Sequence, residues 1–374
     1  MLVNGCETRS IRLAAARDGS VYPEIIDQTR LPHELRFATL GTVFDAARAI
    51  REMWVRGAPL IGATAAYGIA LASRADPSDE ALQVAAQALV ATRPTAVNLR
   101  WAVRDMLETL ARVPEPNREA VAFERASALT EAEVEMCRSI GEHGEVLLRE
   151  LAARREGSAR VGVLTHCNAG WLGTVDWGTA LAPVYRAHRS GIPVHVWVSE
   201  TRPRNQGAGL TAWELAEEGI PHTLVVDNAS GHLLMTGKVD IVITGTDRTT
   251  AAGDVCNKIG TYLKAVAARD CGVPFYVAVP GSSIDWTLNH GQAGEIPIEE
   301  RDGSEVSQVR GLTPGGEWTT VRVAPAGSAV ANFGFDVTPA RLVSGLITER
   351  GICAASHEGL VSLYPERAPR ASDT

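Results

Sequence analysis

Several things are scarce or missing along these 374 residues, and each narrows what the chain does. Aromatic residues make up only 5%, the formal charge is −8, the pI is near 5.7, and no basic stripe interleaves with the aromatics. That combination sets aside the electrostatic footprint of a nucleic-acid binder. The six cysteines, Cys6, Cys137, Cys167, Cys256, Cys271 and Cys353, are scattered with no CxxC or His/Cys ligand spacing. Neither a disulfide framework nor a zinc site is indicated, and no metal or other cofactor is expected. GxGxxG is absent, and so is GxxxxGK followed by Ser or Thr, so dinucleotide and nucleoside-triphosphate binding have no fingerprint. The first residues, Met1-Leu-Val-Asn-Gly-Cys-Glu7, lack a basic region followed by an apolar one, and no run of about 18 apolar residues follows anywhere. The expectation is a soluble, cytoplasmic protein with no membrane partner.

What is present is an α/β pattern. Thr42 to Met53 has helical composition, Val55 to Gly62 interrupts it, and Ala63 to Ala72 resumes as an Ala-rich buried helix. Arg56-Gly57-Ala58-Pro59 is thus a loop at a helix start, with Pro59 suited to the first turn. Its N–H groups either hold an anion or simply close a tight connection beside a solvated Arg56. Further helices are expected over Glu80 to Ala91 and from Thr95-Ala-Val-Asn98 onward, with Thr95 or Asn98 as its cap and Arg93 at the junction. The charged stretch from Arg118 to Glu156 reads as one bent helix or two in succession.

From Gly157 the chain alternates strands and helices. Val161–Thr165, Val194–Val198, His222–Val226, Val239–Thr244 and Phe275–Val279 are short β-branched runs separated by crossover-length segments, which predicts a doubly wound parallel sheet. Thr211-Ala-Trp-Glu214 reads as a capping box, Asp254 as the cap of a helix from Val255 to Ala268, and the stretch after Val343 as a helix to Arg350. The fold class is therefore α/β, an N-terminal mainly helical domain followed by a Rossmann-like sheet domain. The expected division is a helical domain with a small sheet over residues 1–135, an α/β catalytic domain over 136–366, and a disordered tail over 367–374.

In a parallel sheet the residues after each strand share one rim, where ligands bind. Here that rim receives Cys167-Asn168, Glu200-Thr-Arg-Pro-Arg-Asn-Gln206, Asp227-Asn228, Thr246-Asp247-Arg248 and, from an expected helix, Asn257-Lys258. Cys167 reads either as a small buried hydrophobe or as a thiol activated near Arg or Lys. Its neighbour His166 points to the opposite face of a strand end and is badly placed to pair with it. Asp247 reads as a general acid or base, or as an ordinary salt-bridged aspartate. Arg202-Pro-Arg204 suits a small anion, and Gly281-Ser-Ser283 is a phosphate loop or only a turn.

Six ordered motifs, Arg56-Gly-Ala-Pro59, Arg93-Pro-Thr-Ala-Val-Asn-Leu99, Thr165-His-Cys-Asn-Ala-Gly170, Glu200-Thr-Arg-Pro203 with Gln206-Gly-Ala208, Gly245-Thr-Asp-Arg248 and Gly253-Asp-Val-Cys-Asn-Lys-Ile-Gly-Thr261, closely resemble the methylthioribose-1-phosphate isomerase family. The likeness runs from Asp27-Gln28-Thr29 to Phe335-Asp-Val-Thr-Pro339. It implies an aldose–ketose isomerase of methionine salvage acting on a small sugar phosphate as a homodimer. By position it places Asp247 as general acid and Cys167 as its catalytic companion, with Arg56, Gly57, Ala58, Arg93, Gln206, Asn257 and Lys258 on substrate-binding positions. Gly209 stands where the family commonly has Arg, and Gly281-Ser-Ser283 where it has a Pro-Thr type of sequence. These departures concern selectivity at the sugar's 5-position, so 5-deoxyribose 1-phosphate is an alternative substrate and ribose 1,5-bisphosphate a more distant one. The same superfamily also contains non-catalytic regulatory subunits of a translation initiation exchange factor.

Overall fold

The computed structural model describes residues 1–17, 19–93, 96–155, 159–289, 291 and 295–368. A two-stranded hairpin, β1 (Leu2–Val3) and β2 (Cys6–Glu7), precedes an antiparallel sheet of β3 (Ile11–Ala15), β4 (Val21–Ile26) and β5 (Phe37–Thr39). Helix α1 (Val43–Arg51) begins with a reciprocal capping box between Thr42 and Asp45. Helix α2 (Ala58–Ala75) carries no charge before Arg74, so it is buried on nearly every side and becomes the axis of the N-terminal core. Around it pack α3 (Asp79–Val90), α4 (Val97–Leu110) and the first half of α5 (Arg118–Ala153).

The charged stretch is one helix, α5, of 36 residues and therefore about 54 Å long. Its Ala126 and Leu129 belong to the helical core and its Ile140 and Leu148 to the core beneath the large sheet. Position 135/136 falls inside it. The chain continues through β6 (Val161–Thr165), α6 (Ala182–Arg189), β7 (Val194–Ser199), α7 (Ala212–Glu217), β8 (His222–Val225), α8 (Ala229–Met235) and β9 (Ile241–Thr244). A hairpin of β10 (Arg248–Thr250) and β11 (Val255–Lys258) follows, then α9 (Thr261–Asp270), β12 (Phe275–Ala278) and β13 (Ile284–Asp285). The remainder comprises α10 (Ser304–Ser307), β14 (Gln308–Leu312), β15 (Trp318–Arg322), β16 (Phe335–Thr338), β17 (Gly345–Thr348), β18 (Gly351–Cys353) and α11 (His357–Leu363).

The large sheet has the order β18-β17-β12-β9-β6-β7-β8, parallel except for the edge strand β18. This is the expected doubly wound sheet. The chain starts in the middle at β6, runs outward to β8, then returns to β9 on the other side of β6, so the β6/β9 junction is its switch point. A second sheet, β13-β10-β11-β16, stands above that rim. Among the described residues no helix is long and apolar enough to cross a membrane.

Several local readings are corrected. Gly345-Leu-Ile-Thr348 is not part of a helix to Arg350 but the fully buried strand β17; a short apolar run has no period to separate the two, and pairing with β12 decides it. Asp254 caps no helix from Val255: its carboxylate accepts from the N–H groups of Gly291 and Ala340, and the chain forms β11 first. Asn257 and Lys258 are accordingly strand residues. Asn98 sits inside α4, donating to Ser282, and Thr95 lies outside the described residues. Gly281-Ser-Ser283 is a 3₁₀ turn whose Ser282 binds Glu133. Thr211 and Glu214 make no capping box, because a π-turn over Gly207–Thr211 runs straight into α7. Of the tail, residues 369–374 lie outside the described residues.

Candidate active site

The loops after β6 and β9 sit side by side at the switch point, and the N-terminus of α2 closes over them. One cavity results, and its lining includes all nine residues singled out above: Cys167, Asp247, Arg56, Gly57, Ala58, Arg93, Gln206, Asn257 and Lys258. Gly57, at the start of α2, lies directly against the Gly173 loop. Its φ is +90° and a Cβ there would lie 2.1 Å from the Gly173 carbonyl oxygen, so only glycine lets α2 start against that loop.

Cys167 directly follows His166 at the end of β6, half-buried, with φ at +64°. Its N–H donates to Thr201 Oγ1 at 2.8 Å, and its carbonyl accepts from Thr211 Oγ1 at 2.8 Å. His166 does not serve it. The ring donates from Nε2 to the Ile259 carbonyl at 2.8 Å, its Nδ1 lies 3.3 Å from Thr201 Oγ1, and burial together with nearby Lys264 lowers its pKa to about 3, leaving it neutral. A Cys–His nucleophile pair is therefore not built here.

Asp247 follows β9 and is held by its N–H, which donates to the Cys256 carbonyl at 3.0 Å. It lines the cavity half-buried, and desolvation there raises its pKa against the pull of Lys258, Arg93 and Arg56. The cations are themselves largely desolvated. Arg56 is 6% exposed, donates to the Asn168 carbonyl and keeps one guanidinium nitrogen, Nη1, buried without a partner among the described residues. Arg93 lies 3.6 Å from Glu299, and burial lowers its pKa. Lys258 is 8% exposed with its ammonium 4.5 Å from the Phe335 ring centre. Gln206 Oε1 is another buried atom without a partner, whereas Asn257 Nδ2 donates to Thr261. Buried donors and acceptors left open around a cavity are what a polar ligand would satisfy. Met53, Ile61, Ile296, Pro297 and Phe335 form an apolar part of the wall, beside polar residues such as Thr246, Arg248 and Ser283.

Arg202 and Arg204, read as anion ligands, are used structurally: Arg202 binds the carbonyls of Pro203 and Val306, and Arg204 pairs with Glu305 at 2.7 Å. Two residues of the site escaped notice in the sequence. Glu214 is fully buried behind Asn168 and accepts from Asn168 Nδ2, the Leu172 N–H and the Tyr185 hydroxyl. Burial raises its pKa to about 7. Its spacing from Thr211 imitated a capping box, and no local pattern distinguishes the two uses. Glu299 stands 52 positions beyond Asp247 in irregular chain, and no motif leads to it.

Residues 54–355 match the initiation factor 2 subunit family. Two bacterial proteins named methylthioribose-1-phosphate isomerase are similar over most of their length. That of Rhodospirillum rubrum is 59% identical, covering 99% of this chain and 95% of the relative; that of Sinorhizobium medicae is 61% identical, covering 92% and 94%. The solved 5-methylthioribose 1-phosphate isomerase of Pyrococcus horikoshii OT3 superposes with a TM-score of 0.81 at 36% identity, covering 96% of each chain. A structure from A. fulgidus described as translation initiation factor eIF-2B subunit delta gives 0.77 at 38% identity, covering 96% of this chain and 100% of that one. The chain belongs to the methylthioribose-1-phosphate isomerase family, within the wider initiation factor 2 subunit family.

Proposed function

We propose that the chain is an aldose–ketose isomerase that converts 5-methylthioribose 1-phosphate to 5-methylthioribulose 1-phosphate, a step of methionine salvage. The observation that carries this reading is the meeting of Cys167 and Asp247 in one cavity at the switch point, with Arg56, Arg93 and Lys258 in its wall. The names of relatives about 60% identical point the same way.

The phosphate on the anomeric oxygen prevents the ring from opening as a free sugar does. The bond between C1 and the ring oxygen therefore breaks as that oxygen takes a proton, and a carboxyl whose hold on its proton is strengthened by burial suits the task; Asp247 is assigned it. Hydrogen then passes from C2 to C1, and the C2 hydroxyl gives its proton back to Asp247 as it becomes the ketone. Either the Cys167 thiolate takes the C2 proton and returns it to C1 through an enol, or a hydride shifts directly in a pocket closed to water. Substrate deuterated at C2 separates the two, because label lost to water marks the enol and label retained at C1 marks the shift. Arg56, Lys258 and the first turn of α2 at Gly57 and Ala58 are assigned to the phosphate dianion, Arg93 to the charge beside Asp247, and Gln206 and Asn257 to the sugar hydroxyls. No metal or cofactor is assigned, since the hydrogen moves within one molecule and side chains supply the proton.

The apolar wall suits the methylthio group, and a small apolar group discriminates by only about 1–3 kcal/mol. Turnover of 5-deoxyribose 1-phosphate is therefore expected beside that of the methylthio sugar. The deciding test is kcat/KM for both and for ribose 1,5-bisphosphate, with ketose formation followed by NMR. Highest kcat/KM on the methylthio sugar is expected; no turnover of any of the three would leave a non-catalytic, translation-factor-like subunit as the reading. We also propose a cytoplasmic location and a homodimer, the dimer supported by apolar side chains left exposed on and just after β8, on α8 and on α9: Leu224, Val226, Met235 and Leu263.

A further inference from the structure

Cys167 is fixed in the left-handed backbone region, φ +64°, which a side chain other than glycine adopts only when its surroundings insist. Its surroundings here are two threonines from the segment that follows β7. Thr201 Oγ1 accepts the Cys167 N–H at 2.8 Å and Thr211 Oγ1 donates to the Cys167 carbonyl at 2.8 Å, so both main-chain polar groups of one residue are held by hydroxyls. Both threonines are fully buried. Each is anchored in turn. Thr201 donates from Oγ1 to the Ser199 carbonyl at 3.0 Å and from its N–H to Asp227 Oδ1 at 2.8 Å, and it too has a φ of +64°. Thr211 Oγ1 accepts from Asn168 Nδ2 at 3.2 Å, tying it to the residue next to Cys167 and through that amide to Glu214. Such hydroxyls are unusual anchors, because an N–H and a carbonyl at a strand end are more often met by backbone or water.

We propose that Thr201 and Thr211 are positioning residues that clamp the Cys167 main chain from both sides and so hold its thiol toward the cavity. The clamp takes Cys167 as a reacting residue from the function proposed above. Neither threonine lines the cavity, so the clamp acts on kcat rather than on substrate binding. Valine matches threonine in shape without the hydroxyl, and serine restores the hydroxyl.

The test uses the full-length protein as Cys167→Ser, Thr201→Val, Thr201→Ser, Thr211→Val and Thr211→Ser. Two readouts are taken: steady-state turnover of 5-methylthioribose 1-phosphate, and the rate at which iodoacetamide alkylates Cys167, read by mass spectrometry. Both valine variants are expected to lose kcat by about 10- to 100-fold, as misplacement of a reacting group does, with KM within about threefold of the parent. Both serine variants are expected to recover most of that loss, and alkylation of Cys167 is expected to change in the valine variants alone. Wild-type kcat in the valine variants, or no recovery with serine, overturns the clamp. Normal turnover by Cys167→Ser would instead remove Cys167 from the chemistry, and the alkylation rates alone would then decide whether the threonines present its thiol. Should Thr201→Val fail to fold, the Thr211 pair and Thr201→Ser decide by the same comparisons.

Discussion

A carboxyl withdrawn from bulk water holds its proton, while cations nearby pull the proton away, and Asp247 is subject to both. Burial is the larger effect, so its pKa lies above that of an ordinary aspartate. As the proposed proton donor, Asp247 must enter the cycle protonated. Activity should therefore fall as pH rises through its pKa, and that alkaline limb should reach higher pH than a solvated aspartate would allow. Asp247→Asn, which keeps the shape and removes the acidic proton, should lower kcat by about 10²- to 10⁴-fold with little change in KM. Steady-state kinetics across pH checks both statements, and near-normal turnover by the variant would remove Asp247 from ring opening. Lys258→Met, by contrast, should act mainly on KM, because it takes a buried cation from the assigned phosphate site and leaves the proton donor in place.

At the scale of elements, the junctions around α2, α4 and α5 are where sequence and stability meet. Gly57→Ala would drive a methyl into the Gly173 carbonyl at a backbone angle alanine resists. The start of α2 should shift, with about 1–3 kcal/mol lost and KM for the sugar phosphate raised, as thermal melts and kinetics will show. Glu133 on α5 is shut in, reached by the Ser282 hydroxyl at 3.2 Å, and burial lifts its pKa from 4.5 to about 7. A raised carboxyl stabilises the fold most at low pH, and that contribution is lost as pH climbs from about 4.5 to about 7. Glu133→Gln cannot titrate. The parent should therefore lose about 3 kcal/mol relative to the variant across that window and no more above it, measurable as diverging denaturation midpoints.

For the whole molecule, α5 contributes to both cores, as does β4 through Ile25 and Ile26, so the helical part and the large sheet are expected to unfold together rather than in two steps. The proposed dimer is a matter of the surface. Leu224, Val226, Met235 and Leu263 are each between 47% and 76% exposed, and the proposed seam would cover them. Light scattering should give twice the 39.8 kDa chain mass, and Leu263→Glu should move it toward the monomer while the melting temperature holds.

The sequence by itself determined the parts that depend on local pattern. Short β-branched runs such as Val161–Thr165, spaced by crossover-length segments, read as parallel strands, and the helical composition from Thr42 to Met53 read as the helix that α1 forms. The family resemblance of the ordered motifs also led to nine residues of the cavity wall, of which Cys167, Gln206 and Asp247 follow strands whose ends a parallel sheet gathers on one rim. What tertiary structure alone decided lies where local signals are degenerate. Gly345–Thr348 is a strand because β12 offers it an edge, and Val255–Lys258 is one because β10 and β16 flank it. Glu214 is a buried acceptor rather than a helix cap because Asn168, Leu172 and Tyr185 converge on it from distant positions. Thr201 and Thr211 grip Cys167 across 34 and 44 residues of chain. A hydroxyl's partner at such separations is set by how strands and turns pack, and no periodicity along the chain encodes it.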